Sequence, residues 1–163
     1  MNKIIYVAGG CFWGVEAYFS RLKGVLDTKC GYANGNTLNP HYEDLKAGIA
    51  THAETVYIKY DEAIISLEKL LEHFLRFVDP YSLNRQGHDE GIQYRSGIYY
   101  YDLTDKDIIK KYFDQKLESN YVIEIEKINN FFPAEEYHQK YLDKNPNGYC
   151  HVNLNLIKSE EKK

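Results

Sequence analysis

Three observations on the amino-acid sequence predict an α/β fold built around one sheet. Segments with the periodicity of strands alternate with segments with the periodicity of helices along the chain. Hydrophobic residues make up 44% of the 163 residues, which is enough for one buried core. No repeat, low-complexity block or linker divides the sequence. We therefore expect a single domain over residues 1–163, and the alternation by itself favours a parallel sheet.

The first elements flank a pair of glycines. Residues 3–7, KIIYV, predict a short buried strand, and the apolar residues of 12–22 recur at helical spacing directly after Gly9 and Gly10. A second strand is predicted over 25–32. The run ANGNTLNPHY that follows is rich in turn residues and predicts a long loop.

An alternating strand and an amphipathic helix come next. Residues 53–61 place Glu54 on the same face as Val56 and the apolar residues after it. The helix is predicted over 64–78, with its apolar stripe starting at Ile64, and it ends before a proline.

The second half of the chain is predicted to contain a long loop, a strand, a helix, a strand and a short helix, at residues 79–95, 96–101, 104–117, 121–128 and 133–142. Thr104 and Asp107 are placed as an N-cap pair for the long helix. A turn over 145–148 follows the short helix. The last six residues, KSEEKK, are expected to form a solvated tail.

Composition and charge exclude several classes of function. Lys and Arg total 20 and Asp and Glu total 24, a net charge of −4, which argues against nucleic acid as the main partner. No apolar run approaches the roughly 20 residues of a membrane span, and no secretory signal is evident. Three widely spaced cysteines do not make a disulfide scaffold. These features predict a cytoplasmic protein.

Cys11 lies in the sequence GGCFWG, where the strand pattern changes to a helix pattern. A dinucleotide-binding turn would need glycine at the position of Cys11, between Gly9 and Gly14. A helix N-terminus favours a thiolate, which makes Cys11 a candidate nucleophile. A buried structural cysteine fits the local pattern equally well. Phe12 and Trp13 are adjacent, so they cannot both face the same core.

Candidate partners for such a sulfur lie elsewhere in the chain. If the apolar face of its strand is core, Glu54 has a raised pKa and is fit to act as a general acid, although a solvated strand-end carboxylate also fits the pattern. The hydroxyls of Tyr42 and Tyr94 stand where loops meet regular elements and could hold a substrate oxygen. Cys150 follows a flexible turn and could reach another thiol, whereas Cys30 is predicted to pack inside a strand.

A metal site is not predicted. His88, Asp89 and Glu90 are adjacent in the sequence, and adjacent residues rarely converge on one ion.

The quoted motifs resemble those of a known family. The segment GGCFWGVE resembles the active-site signature of the A-type peptide methionine sulfoxide reductases. Four further segments are similar to that family in the same order, and together they extend from residue 9 to residue 150: GYANG, NPHYEDLKAGIATHAETV, RQGHDEGIQYRSGIYY and EEYHQKYLDKNPNGYC. Enzymes of this class reverse the oxidation of methionine to its sulfoxide.

The resemblance implies a fold that differs from the parallel sheet. It implies an α+β two-layer sandwich with a ferredoxin-like βαβ core, a mixed sheet flanked by helices, long loops and an irregular C-terminal tail. Residues 144–163 are expected to form a flexible segment that carries a resolving cysteine.

The resemblance also implies roles for particular residues. Cys11 would be the nucleophile, Glu54 the acid and Cys150 the resolving cysteine. Phe12 and Trp13 would receive the S-methyl group of the substrate. Tyr42 and Tyr94 would bind its oxygen, and Asp89 would support the site.

The implied reaction is reduction of methionine S-sulfoxide, free or in proteins, as a repair of oxidative damage. A Cys11 sulfenic acid and a Cys11–Cys150 disulfide are the expected intermediates, and thioredoxin or a similar dithiol is the expected reductant. No metal or organic cofactor is expected.

Some features depart from the family's pattern or leave other functions open. Ala50-Thr51 stands where many members have Thr-Gly, and Cys30 belongs to no motif. Cys11 with a histidine base could instead serve a cysteine hydrolase, and the strand–glycine–helix pattern could serve a non-enzymatic binding module.

Overall fold

The computed structural model describes residues 2–163. Its strands are Asn2–Gly9 (β1), Val25–Ala33 (β2), Ala53–Asp61 (β3), Arg85–Gln86 (β4), Asp89–Glu90 (β5), Ser96–Tyr100 (β6), Glu124–Lys127 (β7) and Phe131–Pro133 (β8). Its α-helices are Phe12–Ser20 (α1), Tyr42–Lys46 (α2), Leu67–Phe77 (α3), Asp105–Lys116 (α4) and Tyr141–Lys144 (α5). Within this part of the chain, no helix is both long enough and apolar enough to cross a lipid bilayer.

Six of the strands form one mixed sheet in the order β7-β6-β1-β3-β2-β8. β1 is antiparallel to both β3 and β6, β2 is antiparallel to β3 and β8, and β6 is parallel to β7. The parallel sheet predicted from the alternation of elements is therefore wrong. Consecutive strands β2 and β3 pair directly, because the segment between them contains the short helix α2 and not a crossover helix that packs on the sheet.

The centre of the sheet has the connectivity implied by the family resemblance. β1, α1 and β2 form one split unit with β3 between its strands, and β3, α3 and β6 form a second unit with β1 between its strands. Two interleaved β-α-β units with this strand order define a ferredoxin-like fold. The expected α+β class is confirmed.

The main core lies between the helices and one face of the sheet. β3 contributes Val56, Ile58 and Tyr60 to this core, as its alternation predicts. The opposite face carries a smaller cluster built from small residues and aromatic rings, namely Ala8, Ala33, Ala53 and Tyr99 with Tyr6, Ile128 and Phe131 packed against them.

Three local predictions are corrected by the structure. α3 begins after Ser66, whose hydroxyl accepts a hydrogen bond from the backbone N–H of Lys69, so Ile64 lies outside the helix and is exposed. The hydroxyl of Thr104 does not cap α4 and donates to Asp102 at 2.8 Å. The helix predicted over 133–142 is divided, because β8 ends at Pro133 and α5 starts only at Tyr141.

The C-terminal residues return across the helical face. The Nε2 atom of His151 lies 2.8 Å from the carbonyl oxygen of Gly9, and Lys162 pairs with Leu22 as a β-bridge. Glu161 accepts two hydrogen bonds from Arg76, so the prediction of a solvated tail is wrong at that residue. The flexibility expected for residues 144–163 stays a prediction.

Candidate active site

Cys11 is the N-cap residue of α1, at the end of the turn that follows β1. Gly10 makes this turn possible because its φ is +92°, and a Cβ at this position would lie 2.8 Å from Gln86 and from His151. Cys11 itself is 8% exposed, so a small part of the residue reaches the surface. The turn therefore presents the sulfur at the edge of the core.

Glu54 lies near the start of β3 and is 1% exposed. Its Oε1 accepts a hydrogen bond from the backbone N–H of Phe12 at 3.3 Å, and its Oε2 accepts one from Nε2 of Gln93 at 3.2 Å. Burial raises the pKa of Glu54 to about 8, although the two hydrogen bonds act in the opposite direction. The side chain is therefore mainly protonated at neutral pH, and the alternative of a solvated strand-end carboxylate is wrong.

The thiol of Cys11 does not have the low pKa that a helix N-terminus would give to an exposed cysteine. Burial is the largest effect and raises the pKa, and a charge on Glu54 raises it further. The backbone N–H of Trp13 donates to the sulfur and lowers the pKa by less than burial raises it. The expectation of a resting thiolate is corrected, since the desolvated sulfur holds its proton.

The two predicted tyrosines lie together beside Glu54. Tyr42 is the first residue of α2, Tyr94 ends the helical turn 92–94, and their hydroxyls are hydrogen-bonded to each other. Burial and the neighbouring Glu54 carboxyl raise the pKa of Tyr42 to about 12 and also raise that of Tyr94. Both phenols are therefore neutral and able to donate a proton in a hydrogen bond.

Phe12 and Trp13 differ in burial, since Phe12 belongs to the main core and Trp13 packs against it from a half-buried position. Phe12 is buried and packs against Tyr32 and His138 with ring centroids 5.6 and 5.1 Å apart. Trp13 is half-buried and stacks on Tyr141, with centroids 3.7 Å apart and planes 8° apart. Both residues lie on the first turn of α1, and both rings contact His138.

Asp89 belongs to the small hairpin of β4 and β5. Its carboxylate accepts a hydrogen bond from the hydroxyl of Tyr149 at 3.0 Å. Its charge raises the pKa of Cys11 and of Glu54, which places it near both groups. Among residues 2–163, no group of three or more His, Cys, Asp and Glu side chains could hold a metal ion.

Cys150 lies against the first turns of α1. A Cβ on Gly14 would be 3.1 Å from its Sγ and 3.0 Å from Val152, so the missing side chain lets the C-terminal segment approach the helix. Gly14 is three residues after Cys11, which places both on one face of α1. All three cysteines are free thiols, and Cys150 is half-buried.

Cys30 is buried in β2, as predicted, and its sulfur contacts α1. Its Sγ donates to Oε1 of Glu16 at 3.3 Å, and burial holds its pKa well above the usual range. The residue is fully buried in β2.

The segment before Glu54, where Ala50-Thr51 departs from the family's pattern, is held from two sides. The backbone N–H of Thr51 donates to Oδ1 of Asn36 at 2.9 Å, and its carbonyl accepts from Arg95 at 2.9 Å. These two contacts fix the backbone that leads into β3.

Sequence reasoning missed several residues that complete the site. Gln93 binds Glu54, His138 accepts from Trp13, Tyr141 stacks on Trp13, and Tyr149 binds Asp89. All four lie inside the family-like segments that end at residues 100 and 150. Nothing in their spacing predicts these contacts, because each joins residues that are far apart in the chain or in different loops.

The comparisons with known proteins agree with this geometry. A family model described as "Peptide methionine sulfoxide reductase" matches residues 3–163. The chain belongs to the peptide methionine sulfoxide reductase family. This membership confirms the resemblance and replaces the hydrolase and binding-module hypotheses.

Several relatives of this reductase match along almost their whole length. The peptide methionine sulfoxide reductase MsrA of Ureaplasma urealyticum is 55% identical over 161 residues, which are 97% of this chain and 98% of that protein. MsrA of Clostridium tetani is 58% identical over 155 residues, 93% of this chain and 94% of that protein.

Solved structures share the fold of this reductase. Reduced Mxr1 from Saccharomyces cerevisiae superposes with a TM-score of 0.83 at 37% identity, over 91% of this chain and 88% of that chain. Methionine sulfoxide reductase A of Corynebacterium diphtheriae superposes with a TM-score of 0.82 at 33% identity, over 91% and 77%.

Proposed function

We propose that this enzyme reduces methionine S-sulfoxide, free and in proteins, to methionine, with Cys11 as the nucleophile. The observation that carries the proposal is the buried, protonated Glu54, which is hydrogen-bonded to the helix turn that bears Cys11. A sulfoxide needs an acid beside the attacking sulfur, because its oxygen is a poor leaving group until it is protonated.

In the first step, Glu54 donates its proton to the sulfoxide oxygen as the Cys11 sulfur bonds to the substrate sulfur. The thiol proton of Cys11 then passes to the Glu54 carboxylate and restores the acid. The restored acid then protonates the hydroxyl, which leaves as water. A water molecule attacks the Cys11 sulfur and breaks the new S–S bond, which releases methionine, leaves Cys11 as a sulfenic acid and returns a proton to Glu54, so atoms and electrons balance. Tyr42 and Tyr94 donate hydrogen bonds to the oxygen while charge develops on it.

The raised pKa of Cys11 fits this sequence of steps. A thiol that keeps its proton in the free enzyme carries the proton that the acid later recovers. Proton transfer therefore accompanies sulfur attack and does not precede substrate binding.

In the second step, the thiol of Cys150 attacks the sulfenic acid, forms the Cys11–Cys150 disulfide and releases water. The position of Cys150 over Gly14, on the face of α1 that also bears Cys11, supports this pairing. In the third step, a dithiol reopens the disulfide by thiol–disulfide exchange. Thioredoxin suits this role, since Mxr1 from Saccharomyces cerevisiae has been solved in complex with Trx2. The Mxr1 chain of that complex superposes with a TM-score of 0.58 at 30% identity, over 86% of this chain and 84% of the Mxr1 chain.

The wall of Phe12 and Trp13 would receive the S-methyl group of the substrate, with Asp89 supporting the opposite side. A sulfur with an oxygen, a methyl and a longer chain is chiral, so a fixed apolar wall and a fixed acid accept one epimer. The family resemblance assigns the S epimer.

We also propose that the enzyme works in the cytoplasm as a repair enzyme for oxidised proteins. Its three free thiols and its need for a dithiol reductant suit a reducing compartment. Cell fractionation with an antibody to the chain tests this, and enrichment in an oxidising compartment would contradict it.

The central experiment is dithiothreitol-dependent reduction of methionine S-sulfoxide by the parent and by Cys11→Ser. The parent should turn over and lose activity on alkylation of its thiols, and Cys11→Ser should show no activity. Full activity in Cys11→Ser would remove the nucleophile assignment.

Cys150→Ser separates the two halves of the cycle. It should release one methionine per enzyme and then stop when thioredoxin is the reductant, because no disulfide can form between Cys11 and Cys150. Sustained turnover with thioredoxin would show that Cys30 or direct reduction resolves the sulfenic acid.

A further inference from the structure

We propose that His151 is the general base for the resolving thiol: its Nδ1 takes the proton of Cys150 as that sulfur attacks the sulfenic acid on Cys11. The inference rests on the proposed function, which makes Cys150 the resolving cysteine. His151 directly follows Cys150 and is half-buried between the turn at Gly10 and the hairpin of β4 and β5. The attack requires loss of the thiol proton, because the thiolate is the nucleophile.

The hydrogen bond to Gly9 determines the tautomer of His151. Nε2 lies 2.8 Å from the carbonyl oxygen of Gly9, and a carbonyl can only accept, so Nε2 carries the ring proton. Nδ1 of the neutral ring therefore presents a lone pair. Burial lowers the pKa of His151, so the ring is neutral at pH 7. The imidazole is thus in the form that a general base requires.

The lone pair on Nδ1 of His151 is unused in the resting enzyme. Within residues 2–163, this buried atom has no hydrogen-bond partner. A buried acceptor without a partner costs free energy and is rare in folded proteins. Two other groups near Cys11 are occupied, since the Glu54 carboxyl holds a proton and the Asp89 carboxylate accepts from Tyr149. Nδ1 is therefore available to take a proton.

The space over Gly14 shows how close this lone pair is to the thiol. A Cβ on Gly14 would lie 3.1 Å from Sγ of Cys150 and 3.3 Å from Nδ1 of His151, so both atoms border the same small space. In the resting enzyme the thiol donates to the carbonyl oxygen of Val152 at 3.1 Å. In the proposed step, a rotation about the Cα–Cβ bond of Cys150 exchanges that carbonyl for Nδ1 as the acceptor.

The imidazole is held in place by the turn before α1. A Cβ on Gly10 would lie 2.8 Å from Nε2 of His151 and 2.8 Å from Cβ of Gln86, so glycine is needed for this close approach. The side-chain amide of Gln86 is itself bonded to the backbone N–H and the carbonyl of Asp79, at 3.0 and 3.1 Å. The negative charge of Asp89 favours the imidazolium once it has formed. The ring is therefore fixed in position, and its charged form is stabilised.

Protons and electrons balance in this step. The Sγ electrons of Cys150 form the S–S bond as the S–O bond on Cys11 breaks, so the first sulfur is oxidised and the second is reduced. His151 holds the thiol proton, and Glu54 gives its proton to the departing hydroxyl, which leaves as water. The imidazolium then releases its proton to solvent, and Glu54 regains one from solvent. Both groups return to their resting forms.

Single-turnover kinetics of the parent and His151→Gln test the proposal. The glutamine keeps an N–H donor for the Gly9 carbonyl near the place of Nε2 and lacks the lone pair of an imidazole. Methionine release should keep its rate within about twofold, whereas formation of the Cys11–Cys150 disulfide should slow about 100-fold. Dimedone should then trap the sulfenic acid on Cys11. Equal rates of disulfide formation in the two proteins would overturn the proposal.

His88→Gln is the matched control, since it makes the same substitution at an exposed histidine in the turn between β4 and β5. This variant should release methionine and form the disulfide at the parent's rates. Equal slowing of disulfide formation in His88→Gln and His151→Gln would overturn the assignment of His151 as the base.

The reactivity of the Cys150 thiol separates a base from a structural role without any sulfoxide. In a background of Cys11→Ser and Cys30→Ser, an aromatic disulfide reacts with Cys150 alone. Loss of the base should slow this reaction at least about tenfold in His151→Gln at pH 7. A loosened C-terminal segment would instead expose the thiol and speed the reaction. An equal or faster reaction in His151→Gln would overturn the base role, whether or not the parent reduces sulfoxides.

A measurement on the parent applies even if His151→Gln does not fold. Nitrogen-15 spectra should show the imidazole of His151 neutral at pH 7, protonated at Nε2 and unprotonated at Nδ1. A proton on Nδ1, or a charged ring at pH 7, would leave no lone pair for the thiol proton and would overturn the proposal.

Discussion

At the scale of single residues, the site holds two acidic groups that both keep their protons at neutral pH. Burial raises the pKa of Cys11 and raises that of Glu54 to about 8. A charge on either group would raise the pKa of the other further, so the neutral pair is the stable resting state. One proton can then move from sulfur to carboxyl to oxygen without a net charge ever being placed in the core.

The acid role of Glu54 predicts a pH dependence of activity. As pH rises through about 8, Glu54 loses the proton that it must donate, so kcat/KM should fall. Glu54→Gln should slow the single-turnover formation of methionine by about 100-fold or more and bind substrate nearly as well as the parent. Rapid-quench kinetics across pH 6 to 10 measures both effects.

A matched control is Glu118→Gln, which neutralises an exposed carboxylate. This variant should keep the parent's rate and pH profile. A single-turnover rate in Glu54→Gln equal to that of the parent would remove the acid assignment.

The raised pKa of Glu54 also predicts how the free energy of unfolding changes with pH. The pKa of Glu54 is raised from 4.5 to about 8, so between these values the folded state holds a proton that the unfolded state has lost. The free energy of unfolding should therefore fall across this window as pH rises, by about 3 kcal/mol from Glu54 alone at pH 7. Glu54→Gln should be more stable than the parent at pH 7 and close to it at pH 4. Urea titrations at several pH values test this, and a constant difference between the two proteins would contradict it.

At the scale of elements, α1 brings together the proposed nucleophile, the proposed apolar wall and the contact surface for the proposed resolving thiol. Cys11 caps it, Trp13 lies in its first turn, and Gly14 leaves room for Cys150 and Val152. The helix therefore fixes the distances among these groups more firmly than loops could.

Gly14→Ala tests the close approach of the C-terminal segment. The added methyl would lie 3.0 to 3.1 Å from Val152 and Cys150, so the segment must shift. Alanine also favours the helix by about 1 kcal/mol, so stability will change little. We expect disulfide formation after a single turnover to slow several-fold, while methionine release keeps its rate. Mass spectrometry of alkylated samples over time measures both.

The control for this variant is Ser20→Ala, another small change on the same helix, away from Cys150. It should form the disulfide at the parent's rate. An unchanged rate in Gly14→Ala would show that the segment leaves its position over α1 before Cys150 reacts.

Most elements could be predicted from periodicity, and the errors have local causes. The alternation of β3 correctly predicted that Glu54 lies on the core face with Val56, because every second side chain of a strand points to the same face of the sheet. Periodicity within a strand does not show which strands pair or in which direction. The alternation of elements therefore predicted a parallel sheet wrongly, whereas the family motifs implied the mixed sheet. Ile64 was misplaced because an exposed apolar residue before a cap looks like the start of an apolar stripe.

The site shows the same division. Cys11, Glu54 and the tyrosines were found by motif, because their types and neighbours are unusual in sequence. The protonation state of Cys11 was not predicted, since the pKa of a thiol at a helix end depends on how deeply the tertiary fold buries it. His138 was missed because its contact with Trp13 joins residues more than 120 positions apart.

At the scale of the whole molecule, the C-terminal segment is tied to α3 at its far end. Arg76 donates from Nη1 and Nη2 to the two carboxylate oxygens of Glu161 at 2.7 and 2.8 Å. This pairing lowers the pKa of Glu161, and Lys69 adds a third contact at 3.3 Å. The chain that follows Cys150 is thus anchored to α3 at Glu161.

Glu161→Gln should weaken this anchor. The charge-assisted pair is only partly exposed, so we expect a loss of about 1 kcal/mol in the free energy of unfolding at pH 7. The difference should shrink as pH falls below 4.5, where the unfolded carboxyl is protonated, and vanish where the folded one is too. Asp114→Asn, which breaks the exposed pair with Lys110, is the control and should change stability by less than about 0.5 kcal/mol. Equal effects of the two variants in urea titrations would show that Glu161 anchors nothing.

The register between β1 and β3 determines whether Glu54 faces Cys11. Val7 lies opposite Val56, and this alignment brings the C-terminal end of β1 and the N-terminal end of β3 to the same end of the sheet. A slip by one position would turn Glu54 outward, away from the sulfur and toward the layer of small residues and rings. Such a misaligned chain could be compact yet chemically inert, so catalytic competence reports the alignment of two neighbouring strands more sensitively than compactness does.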